Sequence, residues 1–182
     1  MKELSLNVLD VTLNSVKAKA TLIEVTVEEH GGQMTLRVTD NGTGMTDEIL
    51  RGVTDPFCTT RTTRKVGLGI PLLKMTAEMT GGDVRIESRH YTAFPDDHGT
   101  VVTAVFHTDH IDCPPMGDLI ATVTTLVQGS PDVDFVFSHV TDARDVRLDT
   151  RELRAVLGEE ISLASPEILK WIAEYLTEQY QA

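Results

Sequence analysis

Residues 3–18 place Leu6, Leu9, Leu13 and Val16 at spacings of three and four, with Asn7, Asp10, Asn14 and Lys17 on an adjoining stripe, the pattern of an amphipathic helix. Residues 20–28 then alternate β-branched and polar side chains and predict a strand. Gly31-Gly32 turns the chain back into a second strand over residues 34–40, which ends on Asp40. Thr46-Asp47-Glu48 predicts a helix start, and Gly67-Leu68-Gly69 opens a longer helix with Pro71 in its first turn, stopped by Gly81-Gly82. Two further strands, 83–88 and 99–106, close a sheet. Cys113-Pro114-Pro115 breaks the chain, so the reading divides it into residues 1–112 and a smaller α/β extension, 113–182, packed on the first part. In the extension, residues 116–127 and 151–157 predict helices and 133–138 a strand. Ser165-Pro166-Glu167 caps a last helix, with Trp171 assigned to its core side.

The composition narrows the partners. Lys and Arg number 16 against 28 Asp and Glu, a formal net charge of −12, which repels polyanions and offers no basic stripe for a phosphate backbone; nucleic-acid binding is not expected. No apolar run approaches the ~20 residues of a membrane span, and the start MKELSLNVLD has no signal-peptide character. A soluble, cytoplasmic protein without membrane contact is the expectation. The two cysteines, Cys58 and Cys113, have no metal-type spacing. The six histidines are assigned to strand ends and loops with structural or incidental roles; His107 and His110 lack an evident third ligand.

The stretch with chemical character is DNGTGM, residues 40–45. A carboxylate at a strand end accepts from an amine, and glycines at alternate positions let the backbone approach a ligand; the competing reading is a hairpin turn at Asn41-Gly42. Asp10 and Asn14, one helical turn apart, can hold hydrated Mg²⁺ or position a water between them, as can Glu3 and Asn7 one heptad earlier, and a solvated face is the alternative for either pair. Residues 58–66 carry Arg61, Arg64 and Lys65 but only Val66 as a large aliphatic side chain, so a mobile basic lid over an anion is expected there. The glycine-lined helix start that follows suits a phosphate; no Walker sequence occurs in the chain.

Together these motifs resemble the GHKL ATPases, the superfamily of gyrase-type topoisomerases, Hsp90 chaperones, sensor histidine kinases and mismatch-repair ATPases. DVTLNSVKAKAT (10–21) is similar to the N-box in its mismatch-repair form, DNGTGM to the first glycine box, and TDPFCTT followed by GLGIPLLK to the lid and second glycine box of histidine kinases. The resemblance spans residues 3–106 and implies an α+β sandwich of the Bergerat type, a mixed sheet with helices on one face. It also implies ATP and Mg²⁺ as cofactors. Asn14 would be the Mg²⁺ ligand, chosen over Asn7 because Ala18-Lys19-Ala20-Thr21 follows it. Asp40 would accept from the adenine amine, and Thr100 would support that contact through water. Gly42, Gly44 and Met45 would line the nucleotide; Gly67, Leu68 and Gly69 would approach the phosphates, with Arg61 and Lys65 neutralising them.

Two departures shape the expected activity. Asp10 stands where hydrolysing members carry a longer glutamate, so the catalytic base for water is shortened. No dimerisation helix or phosphoacceptor histidine precedes the N-box in this sequence, which argues against a complete sensor kinase. The resulting expectation is Mg-ATP binding with kinase-like phosphoryl transfer to a partner protein in trans. The alternatives are a nucleotide-gated interaction module without catalysis and a slow ATPase using Asp10; whether the chain forms a homodimer is left open.

Overall fold

The computed structural model describes residues 3–54, 68–158 and 160–182. The expected lid over residues 58–66, with Arg61 and Lys65, lies outside them, as does Gly67 of the second glycine box.

Helix α1 (Leu4–Lys17) leads into β1 (Leu22–His30) and β2 (Gln33–Asp40). These strands form an antiparallel hairpin in which His30 faces Gln33 across the two glycines. Both glycines have positive φ, 58° and 78°, the backbone that a right-twisted two-residue hairpin loop requires. After β2 come a short α2 (Asp47–Gly52), α3 (Gly69–Met79), β3 (Asp83–Arg89) and β4 (Gly99–His107). The remainder is α4 (Leu119–Gly129), β5 (Asp134–Val140), β6 (Asp145–Asp149), α5 (Thr150–Leu157) and α6 (Pro166–Gln181).

All six strands join one sheet in the order β3-β4-β2-β1-β5-β6. β5 runs parallel to β1, Ile23 opposite Phe135, and the other neighbours are antiparallel, so the sheet is mixed. Its strands alternate as one covered face demands: Ile23, Val25 and Val27 of β1 are buried while Glu24 and Glu28 are exposed. Helices α1, α3, α4 and α6 cover the buried face, and one core runs from Leu4 and Val8 through Phe106 and Phe137 to Ile172 and Leu176. This is the sandwich the motifs implied. The chain beyond the Cys113-Pro114-Pro115 break enters the same sheet and the same core: α4 packs on α1, and the first turn of α1 donates Leu4 N–H to Pro115 O (2.9 Å) and Ser5 N–H to Met116 O (2.7 Å).

Several expectations need correction. The inward side of α1 is Leu4, Val8 and Val11 with Ser5, Asn7, Thr12 and Ser15, whereas Leu6 is exposed and Leu9, Leu13 and Val16 pack only at the margin. The helix lies between the sheet, α3 and α4, so small polar residues on its flanks are enclosed too; Thr12 returns its hydroxyl to Val8 O at 2.7 Å. On α6 the phase is one residue off, because Ile172 and Leu176 are buried and Trp171 is exposed. Ser165 sits at the N-cap of α6 without a side-chain hydrogen bond. Strand β6 was not anticipated, and His139, next to last in β5, is buried.

Candidate functional site

Strand β2 delivers Asp40 to the end of the sheet, opposite Thr100 of β4 and beneath the last two turns of α1. Both carboxylate oxygens are held by donors. Ser15 donates its hydroxyl to Oδ2 at 2.6 Å, and the Gly42 N–H donates to Oδ1 at 2.8 Å. Each oxygen keeps a further acceptor site, so the group is fixed in direction and still able to accept from a ligand amine.

The loop after Asp40 is not a hairpin turn. Asn41 closes it back onto the start of β1, its Oδ1 accepting from Thr21 N (2.9 Å) and Leu22 N (3.0 Å) and its Nδ2 donating to Thr21 Oγ1 (2.9 Å). Thr43 N–H reaches Ala18 O at 2.9 Å, and His98 donates Nδ1–H to Gly42 O. Gly44 takes φ 68°, and a Cβ there would fall 2.0 Å from Arg89 O, so the loop passes too close to β3 for any side chain. Ser88 ties the far side together: it accepts from Met45 N at 2.8 Å and lies 2.8 Å from Thr100 Oγ1.

These elements enclose a cavity of about 570 Å³, within the size range of small-molecule sites. Val11, Ala18, Met45, Ile49, Ile70 and Val102 give it apolar walls; Asn14, Ser15, Lys17, Asp40, Thr43 and Thr100 supply the polar groups, and Gly44 completes the wall. A flat, amine-bearing heterocycle fits this combination of apolar walls and one oriented carboxylate. Asn14 Nδ2 is buried with no hydrogen-bond partner among the described residues. The Asn14 amide can offer one hard oxygen, which suits Mg²⁺, an ion that retains waters and completes its shell with phosphate oxygens.

Of the residues singled out by sequence, Asn14, Asp40, Gly44, Met45 and Thr100 meet at this cavity. Gly42 is buried behind Asp40, and Gly69 is buried at the start of α3, where a Cβ would stand 3.1 Å from Asp10 Cβ. Asp10 therefore packs beside the α3 start and is not in the cavity wall among the described residues. Leu68 is exposed. Ser15, Ser88, Asn41 and His98 were missed. Ser15 had one signal, its place next to Asn14, and Asn41 another, its place inside DNGTGM; Ser88 and His98 are brought in by cross-strand register and loop closure, which leave no local pattern.

Comparison with known proteins bears on the family and the fold. The family described as histidine kinase-, DNA gyrase B-, and HSP90-like ATPases matches residues 2–110, more than half of the chain. The tetrathionate sensor histidine kinase TtrS of Salmonella typhimurium is 32% identical over 97 residues, 53% of this chain and 16% of that protein, so the chain spans only a small part of this relative's length. Among solved structures, the N-terminal domain of a DNA repair protein superposes with a TM-score of 0.58 at 12% identity, over 87% of this chain and 58% of that one. The Aquifex aeolicus MutL ATPase domain complexed with ADP does so at 0.55 and 15% identity, over 98% and 70%. These two likenesses are of fold. With its motifs, fold and sequence match in agreement, the chain belongs to the histidine kinase-, DNA gyrase B-, and HSP90-like ATPase family.

Proposed function

We propose that the cavity at the end of β2 binds Mg-ATP and that the γ-phosphoryl group passes to a partner protein in trans. The observation that carries the reading is Asp40, a carboxylate held by Ser15 and Gly42 in the wall of a largely apolar cavity. Asp40 would accept from the adenine amine. Thr100, braced by Ser88, would support that contact, and Asn14 would give its amide oxygen to the metal. The bound metal would neutralise phosphate charge and polarise the γ-phosphoryl group. In such transfer the protein mainly positions the phosphates and the acceptor, and the bond from γ-phosphorus to the β,γ-bridging oxygen breaks as the acceptor's nucleophile bonds to phosphorus. Transfer is favoured over hydrolysis because Asp10 is a short carboxylate packed against the start of α3, away from the cavity wall. The likeness to a sensor histidine kinase supports the same choice.

Incubation with γ-labelled ATP, Mg²⁺ and candidate partner proteins tests this. Label should appear on a partner protein and be lost with Asp40→Asn. Nucleotide-dependent partner binding without label transfer would replace the reading with a gated interaction module, and steady phosphate release alone with a slow ATPase.

A further inference from the structure

The solvent side of α6 departs from the polar surface expected of a covering helix. Ile172 and Leu176 face the core, while Trp171 and Tyr175 stand 44% and 38% exposed. Their rings stack on each other, centroids 4.9 Å apart and planes 10° from parallel. The stacked pair forms an aromatic patch about one helical turn long. Glu167, four residues before Trp171, and Glu174 and Glu178, three residues after Trp171 and Tyr175, are exposed beside it. The cation of this helix, Lys170, is drawn to Glu174 at 3.7 Å, which leaves the face acidic.

We propose that this face docks a cationic polypeptide segment of a partner protein. Arginine or lysine side chains would lie over the exposed rings, whose π faces attract cations, while their charges meet the glutamates. Charge complementarity selects this occupant. A second copy of the chain would set glutamate against glutamate across a symmetric contact. An anionic lipid surface or a nucleic acid would meet the same glutamates on a chain of net charge −12. The surface also lies beyond the residues 2–110 that match the ATPase family, so it is independent of the nucleotide reading.

Trp171 is the sole tryptophan of the chain, so its fluorescence reports on this face alone. Titration of the full chain with a short oligo-arginine peptide should give a saturable change in that signal, weakened by added salt, and oligo-glutamate should give none. With a dye-labelled oligo-arginine peptide followed by anisotropy, Trp171→Ala should bind about two- to fivefold more weakly, as expected for loss of an exposed cation–π contact. Glu174→Gln combined with Glu178→Gln should weaken binding in the same direction. Peptide binding undiminished in these variants would reduce the effect to general attraction by an acidic chain and overturn the proposal. So would an absent response, or an indole signal that follows the protein's own concentration or anionic lipid vesicles instead of the cationic peptide.

Discussion

In the proposed reading Asp40 meets the adenine amine and Asn14 the metal, so their substitutions should differ in kind. Asn14→Ala removes the oxygen assigned to the metal and leaves the carboxylate of Asp40 in place. It should therefore weaken nucleotide binding strongly in Mg²⁺ and little in EDTA, measured as two calorimetric titrations of the same variant; equal losses would return Asn14 to the role of a cavity-wall residue. These two residues were legible in the sequence because their neighbours share the motif, a strand before Asp40 and a helix around Asn14. Ser15 and Ser88 were not, because a hydroxyl becomes part of the site only when another element arrives: Ser15 needs the end of β2 and Ser88 needs the β3–β4 register that sets it opposite Thr100. Trp171 was misplaced for a related reason. Trp171/Tyr175 and Ile172/Leu176 are both apolar pairs four residues apart, and only packing against the sheet and α4 decides which pair turns inward.

Between elements, β1, β5 and α6 meet in a hydrogen-bonded relay. Glu29 of β1 accepts from His139 Nε2–H of β5 at 2.9 Å, which leaves His139 Nδ1 to accept the Tyr180 hydroxyl of α6 at 2.8 Å. Burial, reinforced by the nearby Glu29 carboxylate, pushes the Tyr180 hydroxyl up to about 12. The sign of the linkage follows. Below an ordinary tyrosine value near 10 the hydroxyl is protonated in folded and unfolded chains alike, and the relay contributes fully. As pH rises from about 10 towards 12 the unfolded chain loses the proton first, so stability falls across that window. Urea unfolding at a series of alkaline pH values should show this fall in the wild type and a shallower one in Tyr180→Phe. Identical alkaline slopes would mean that Tyr180 does not couple α6 to the strands. The sheet was largely readable at this scale: strands β1 to β5 were expected from the sequence, while β6, Asp145-Val146-Arg147-Leu148-Asp149, alternates polar and apolar residues but is too short, at five residues, for the alternation to stand out.

For the whole molecule, we propose that residues 113–182 and the nucleotide-binding part fold as one cooperative unit. Without the later residues β1 loses its parallel partner β5, and the first turn of α1, the helix that carries Asn14, loses the carbonyls of Pro115 and Met116. Val8 of α1 and Val25 of β1, which lie against Val123, Leu126, Phe135 and Phe137, would also lose that cover, at about 25 cal/mol per Å² of apolar surface exposed. A fragment ending at Asp112 should show no cooperative thermal transition in circular dichroism. A fragment that melts cooperatively and binds ATP as the full chain does would make the extension an independent module. We propose that Asp40 reads the base of ATP in the cavity between α1 and the sheet. Calorimetric titration of ATP with Mg²⁺ into the wild type and Asp40→Asn tests it most directly. An amide presents a donor where the adenine amine needs an acceptor, a mismatch of roughly 1–3 kcal/mol. Saturable wild-type binding, with most of the affinity lost in a variant that still folds, is the expected result; ATP bound equally tightly by Asp40→Asn would contradict it.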